Sequence, residues 1–153
     1  MNRSIRIAAI VLVSLGLLCV ASAGEQGTTY GKAPSGMPGV ETSLPLMLHA
    51  AHRGRCSLDD VRRWMCEAPA RLYGLSKKGR LAAGMDGDVT LVDLKQARTM
   101  TDAGVWSKSG WTPYAGWTLH GWPIMTVLLG RPVFREGDFV DGVYGEPLDC
   151  DPC

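Results

Sequence analysis

The chain has 153 residues, enough for one domain or for one domain and a fragment of another. Its composition, with 46% hydrophobic and 20% charged residues, is that of an ordinary globular protein. The net charge is +1 and no stretch is rich in Lys or Arg, which excludes nucleic acid as a main partner because phosphate binding needs a clustered basic surface.

Residues 1–23 have the pattern of a secretory signal. Arg3 and Arg6 make the start positive, residues 7–20 are mostly apolar, and residues 21–23 read Ala-Ser-Ala, a small-residue cleavage site. As a helix, residues 7–20 would be roughly 21 Å long, short of a hydrocarbon core of about 30 Å. We therefore expect a leader that is cleaved after Ala23 and an exported protein.

A loop over residues 24–40, rich in Gly, Pro, Ser and Thr, precedes the first predicted helix. This helix covers residues 41–53, and apolar residues recur along it at helical spacing: Leu44, Met47, Leu48 and Ala51. Pro45 is expected in its first turn, where a missing N–H costs little.

A second helix is predicted to begin at Ser57, because Asp60 follows at the capping-box position. Its apolar residues form one stripe, made of Leu58, Val61, Trp64, Met65 and Ala68. Pro69 ends this helix or begins a short third one that runs to Tyr73, and Gly74 suits the C-terminal cap.

From residue 79 the pattern changes from helical to strand-like. Turn sequences over residues 79–88 precede a predicted strand at 89–93, and two further strands are predicted at 121–129 and 132–135. Helices first and short strands afterwards predict an α+β fold. Its parts are helices over 41–78, a β-domain over 79–137 and a C-terminal tail over 138–153.

The histidines are the candidates for a metal site. His49 and His52 lie three residues apart on the first helix, near enough to share an ion, but a third ligand at a suitable spacing is missing. We favour two helix-surface histidines beside Arg53 and Arg55, with His120 in a structural role. The chain has no serine or cysteine nucleophile motif, so no catalytic residue is assigned.

Tryptophans and cysteines leave alternatives open. Four tryptophans form either an aromatic platform for a sugar or base or, as we favour, the packing of a small β-domain: Trp106, Trp111, Trp117 and Trp122. Four cysteines outside the leader are compatible with disulfides after export: Cys56, Cys66, Cys150 and Cys153. The last two form a CxxC that we interpret as part of a loose tail.

Three blocks resemble the amidohydrolase superfamily. Residues 32–46, KAPSGMPGVETSLPL, are similar to the dihydroorotase segment that follows the eighth barrel strand. Residues 67–89 include EAPARLYGL and GMDGDV and resemble the stretch where amidohydrolases leave the barrel and enter their small β-domain. The most specific block is residues 107–123, SKSGWTPYAGW followed by GWP, which resembles dihydroorotases in particular.

The resemblance implies a partial amidohydrolase: the last helices of a (β/α)8 barrel, followed by strands of the small β-sandwich domain. The family reaction is the reversible cyclisation of N-carbamoyl-L-aspartate to dihydroorotate in pyrimidine biosynthesis. It uses zinc held by a His-x-His pair, a carboxylated lysine, two further histidines and an aspartate. No His-x-His occurs here, so we expect no metal ligand and no cofactor in this chain. Only Ser35 and Gly36 match a family site, the dipeptide that contacts substrate.

Three interpretations follow from this resemblance. The first is a truncated dihydroorotase that is inactive alone, self-associates or needs a barrel-bearing partner, and meets a small-molecule substrate only when the barrel is supplied. The second is a non-catalytic interaction or regulatory subunit, and the third an exported binding module. The location is outside the cell if the leader works and cytoplasmic if the family's location holds.

The missing barrel also predicts uncovered surface. We expect an exposed apolar face made of Leu44, Met47, Leu48, Leu58, Val61 and Trp64. We expect unpaired strand edges at residues 89–93 and 124–129 for the same reason.

Overall fold

The computed structural model describes residues 7–10, 36–142 and 145–148. Helices and strands within them, in chain order, are β1 Ile7–Ile10, α1 Val40–His52, α2 Leu58–Arg62, a π-helical turn Arg63–Glu67, α3 Ala68–Leu72, β2 Val89–Thr99, a 3-10 turn Asp102–Gly104, β3 Thr118–Leu128, β4 Arg131–Arg135 and β5 Asp138–Phe139. The α+β class is confirmed. No helix in this described part is both long and apolar enough to cross a membrane.

Helix α1 confirms the predicted first helix and buries the predicted face. Leu44 and Leu48 are 5% and 1% exposed. The helix begins at Val40, so Pro45 lies in its second turn and not in the first as predicted. Proline has no N–H, so the carbonyl of Glu41 has no donor four residues on. The fully buried proline ring offsets this loss with apolar contact.

The second helix begins as predicted, but its buried face is different. Ser57 and Asp60 form both hydrogen bonds of the capping box. Leu58 and Trp64, two residues of the predicted stripe, are 38% and 48% exposed, as expected for the uncovered apolar face. The cause is the π-helical turn, whose i→i+5 hydrogen bonding widens the helix. The buried positions are therefore five and then four residues apart: Val61, Cys66 and Ala70.

The strands form one antiparallel sheet in the order β1-β2-β3-β4-β5. The predicted strands are confirmed, and β2 and β3 are longer than predicted. Residues 94–99 escaped prediction because they are mostly polar and exposed. Residues 97–99 pair with residues 118–120, after an irregularity between Asp93 and Ala97. Strand β5 falls inside the segment predicted as a tail, which its pairing with β4 brings into the sheet.

Strand β1 comes from the predicted leader. It pairs with β2 in a register that places Ile7 opposite Asp93 and Ile10 opposite Thr90. The other edge of β2 pairs with β3, and β3 pairs with β4. The predicted unpaired edge at 124–129 is therefore wrong, whereas the edge at 89–93 is covered only by a strand from the leader. The secretory signal stays a prediction, and its removal would expose the edge of β2.

The core lies between α1, the helical segment 58–72 and the sheet. Leu44, Leu48, Val61, Cys66 and Val92 form one buried cluster, with Met47 packed against it. The predicted uncovered face is therefore wrong for Leu44, Leu48 and Val61. The sequence suggested that these residues need the barrel, but the helices and the sheet enclose them within this chain.

Candidate functional site

The predicted substrate-contacting dipeptide precedes α1. Ser35 lies outside the described residues. Gly36 lies in an exposed bend four residues before the helix begins, and a Cβ placed on it would meet nothing within 4 Å. Among the described residues, none covers this side of Gly36. The substrate-binding role of both residues stays a prediction.

Glu41 anchors this region to the block that most resembles dihydroorotases. Its carboxylate accepts the backbone N–H of Trp106 at 3.1 Å and 3.0 Å, through Oε1 and Oε2 respectively, and that of Ser107 at 3.2 Å. A negative charge in the first turn also suits the positive end of the helix dipole. This carboxylate thus holds the start of α1 against residues 106–107. Sequence analysis missed it, although an acidic first-turn residue was a visible signal.

The structure brings the three histidines together. The ring centroids of His52 and His120 are 4.2 Å apart, those of His49 and His120 5.6 Å, and those of His49 and His52 6.3 Å. The backbone N–H of His120 donates to His49 Nδ1 at 3.3 Å. His120, for which we predicted a structural role, lies beside the two helix histidines because β3 packs directly on α1. These residues are called the histidine cluster below.

The histidine cluster does not have the geometry of a metal site. Ring lone pairs lie in the plane of each ring, and the planes of His52 and His120 are within 2° of parallel. Their lone pairs therefore do not converge on one point. Among the described residues, no group of three or more His, Cys, Asp or Glu side chains could hold an ion. The zinc that the resemblance implies thus finds no fitting site in this part of the chain.

Electrostatics keep His49 in the histidine cluster neutral. Burial lowers the pKa of His49, and the positive neighbours His120, Arg53, His52 and Arg55 lower it further. His120 Nδ1 is buried and has no hydrogen-bond partner among the described residues. His49 is therefore favoured in its uncharged form, and the stacked rings of the cluster join α1 to β3.

A buried cluster of charged side chains stabilises the turns before β2. Lys78 Nζ lies 2.8 Å from a carboxylate oxygen of Asp86 and also contacts Asp88, whose other oxygen accepts the N–H of Leu129 at 2.7 Å. Burial opposes the charge of Lys78, but hydrogen bonds and charges from both aspartates outweigh it and raise its pKa. The side chain of Lys78 is only 9% exposed. Its role is to tie the 78–88 segment to the β3–β4 turn.

The tryptophans are only partly packed. Trp106 and Trp117 are 58% and 55% exposed, so the packing interpretation is wrong for these two, whereas Trp111 and Trp122 are half-buried. Trp106 meets Phe139 edge-on, with 5.0 Å between ring centroids. The exposure follows from their place in the loops before β3, not within the sheet.

Among the cysteines, Cys56 and Cys66 are free thiols. Burial raises the pKa of Cys66 to about 12, so this thiol is not a nucleophile at neutral pH. Cys150 and Cys153 lie outside the described residues, and their pairing stays a prediction.

The family model of the amidohydrolase family matches residues 22–133, well over half of the chain. The chain belongs to the amidohydrolase family. This amidohydrolase is 43% identical to a dihydroorotase of Methanothermobacter thermautotrophicus over 110 residues, which are 72% of this chain and 26% of that protein. It is also 43% identical to a dihydroorotase of Halobacterium salinarum over 121 residues, 79% of this chain and 28% of that protein.

Solved structures agree with this assignment. L-hydantoinase from Arthrobacter aurescens superimposes with a TM-score of 0.69 at 35% identity, over 72% of this amidohydrolase and 25% of that chain. The chain thus spans about a quarter of the length of the relatives it matches. The matched part is similar in sequence to the C-terminal portion of dihydroorotases, as the three sequence blocks predicted.

Proposed function

We propose that this amidohydrolase chain supplies the C-terminal unit of a dihydroorotase and has no turnover by itself. In this proposal α1–α3 are the last helices of the barrel, and β2–β5 are part of the small β-sandwich. The observation that carries the proposal is the 43% identity to a dihydroorotase over a segment that is 26% of that protein. The reaction would be the interconversion of N-carbamoyl-L-aspartate and dihydroorotate.

The groups that perform the chemistry would come from outside these 153 residues. The chain has three histidines, none of them in a His-x-His pair. In the structure these three stack face to face and do not direct their lone pairs to one point. We therefore propose a barrel-bearing polypeptide as the partner that provides the metal ligands. This chain's contribution to the site would be the backbone around Ser35 and Gly36, held in place by α1 and Glu41.

A chimera tests the proposed function. The matched 110-residue segment of the Methanothermobacter dihydroorotase is replaced by the corresponding segment of this chain, and zinc content and turnover are measured. We expect a metal-loaded, active chimera, and no turnover above buffer from this chain alone. A folded, zinc-loaded chimera without activity would contradict the proposal, as would stoichiometric zinc and turnover in the isolated chain.

Within the same chimera, two substitutions of Gly36 distinguish an effect on substrate contact from an effect on folding. Gly36→Pro removes the backbone N–H, whereas Gly36→Ala keeps it and adds a Cβ for which the structure has space. We expect KM to rise in the proline variant and to stay unchanged in the alanine variant. Equal KM values in both, at equal thermal stability, would remove Gly36 from the site.

Export is part of the proposal and has its own test. Cleavage after Ala23 would remove β1 and leave one edge of β2 without its strand. N-terminal sequencing of protein recovered from the medium or periplasm is expected to begin at Gly24. A protein that keeps Met1 and stays in the cytoplasm would show that residues 1–23 are not a working signal.

A further inference from the structure

We propose that strand β1 sequesters the export signal once the chain has folded, so that folding and export are alternative fates of the same residues. The inference rests on the export part of the proposed function, in which residues 1–23 are a working signal. Its basis is an overlap between two roles. Residues 7–10 begin the apolar stretch of that signal, and they also form the edge strand that pairs with β2.

The two roles require different states of the same backbone. As β1, residues 7–10 are extended and pair with β2 in an antiparallel register, from Ile7 opposite Asp93 to Ile10 opposite Thr90. As the start of a signal, they belong to an apolar stretch that the export apparatus must bind free of the rest of the chain. Extended and helical dihedral angles exclude each other, and a backbone group that is paired with β2 cannot complete a helical hydrogen bond. The paired leader is therefore not available for export.

The edge that receives β1 forms together with the core. Thr90 and Val92 lie on β2 and are each 1% exposed, and Val92 belongs to the buried cluster around Leu48. The other edge of the same strand is paired with β3. Strand β2 is thus held both by the core and by β3, and its remaining edge presents unpaired N–H and C=O groups unless β1 covers it. Folding of the core therefore creates the surface that binds the leader.

The order of synthesis decides which fate a given chain follows. The β2 residues that pair with β1 follow it by about 80 residues, which take roughly 4–16 s to synthesise. During that time the leader has no partner strand and is open to the export apparatus. A small domain folds within microseconds to seconds, so a leader that is not bound by then is taken into the sheet. We therefore expect two populations, one exported and cleaved, the other cytoplasmic with its leader in place.

Two leader variants and one fusion test the proposal in a bacterial host. Ile7→Leu/Ile10→Leu keeps the leader apolar but replaces two β-branched residues, which suit a strand better than leucine does. Val11→Leu/Val13→Leu is the matched control, because it makes the same kind of change outside β1. The fusion joins residues 1–39 to a reporter enzyme that offers no β2. Pulse labelling then gives the share of each protein that is cleaved and exported.

We expect the fusion to be exported almost completely and the full chain only in part. Ile7→Leu/Ile10→Leu should raise the ratio of exported to retained chain about twofold or more, because it weakens the strand, and the control should leave this ratio unchanged. In the purified full chain, hydrogen exchange should show protected amides in residues 7–10, with less protection in Ile7→Leu/Ile10→Leu than in the control.

The outcomes separate this inference from the proposed function. If the full chain is exported as completely as the fusion, or if both leader variants behave alike, β1 does not sequester the signal and only this inference is overturned. Unprotected amides in residues 7–10 of the folded chain overturn it as well. If the fusion itself stays in the cytoplasm, residues 1–23 are not a signal, and the export part of the proposed function falls together with the inference. The chimera tests the catalytic part independently of these results.

Discussion

Acidification should loosen the contact between α1 and β3, because His49 then takes up a proton that its surroundings disfavour. All the charged neighbours that shift the pKa of His49 are basic: His120, Arg53, His52 and Arg55. Burial and these charges lower the pKa of His49 below 6.5, so the folded state binds protons less readily than the unfolded chain. Stability is therefore complete above pH 6.5 and is lost as pH falls through the lowered pKa of the folded state.

The distances set the size of the effect. His49 and His120 have ring centroids 5.6 Å apart. Two unit charges at that separation repel by roughly 0.7 kcal/mol in a water-like dielectric and by roughly 3 kcal/mol at an effective dielectric of 20. Because His49 is only half-buried, the lower end applies. We therefore expect a loss of about 1 kcal/mol or less between pH 7.5 and pH 5 as His49 takes up a proton.

Urea unfolding at a series of pH values from 8 to 5 measures this loss. Stopping at pH 5 keeps the carboxylates ionised, so their titration does not contribute. The control is His120→Gln, which removes the central ring and should flatten the profile. The account of the histidine cluster would be refuted if the urea midpoint stays constant from pH 7.5 to pH 5. It would also be refuted if the midpoint decreases equally in His120→Gln.

Three substitutions test other contacts by urea unfolding at pH 7.5. Gly121→Ala places a Cβ 2.6 Å from Leu48 Cβ at a φ of +92°, so we expect the free energy of unfolding to decrease by about 2–4 kcal/mol. A decrease smaller than that caused by Gly110→Ala, at an exposed glycine, would contradict the crowding at Leu48. Ser57→Ala removes the capping-box hydroxyl and should cost about 0.5–2 kcal/mol, and an unchanged midpoint would show that the cap is not stabilising. Lys78→Met leaves Asp88 buried without its counter-charge, so we expect a loss of about 3–5 kcal/mol; a neutral or stabilising result would mean that the aspartate takes up a proton or finds water instead.

The parts of the fold that sequence predicted are those specified by local chemistry. The capping box at Ser57 and Asp60 marks a helix start because both hydrogen bonds are made within four residues. Leu44 and Leu48 mark a buried helix face because they are one turn apart. Gly74 was identified as a cap, and it has a φ of +63° that other residues avoid. Each of these signals lies within one turn of the feature it predicts.

The parts that sequence did not predict depend on distant partners or on small backbone changes. His120 is 71 residues from His49, and only the packing of β3 on α1 brings them together. The π-helical turn changes the buried residue from Trp64 to Cys66, and helical periodicity assumes that no such turn occurs. The pairing of residues 97–99 in β2 has no hydrophobic alternation to reveal it.

Stability and chemistry have different requirements in this fold, and the proposed function assigns them to two polypeptides. Its core lies between α1, the 58–72 segment and the sheet, and residues 44–92 contain every member of the buried cluster around Leu48. A barrel active site instead draws its catalytic residues from the ends of several strands, so it needs the whole barrel. A unit of this kind can therefore have a core of its own and still depend on another polypeptide for every reacting group. Full turnover of the chimera with none from the chain alone would demonstrate that separation directly.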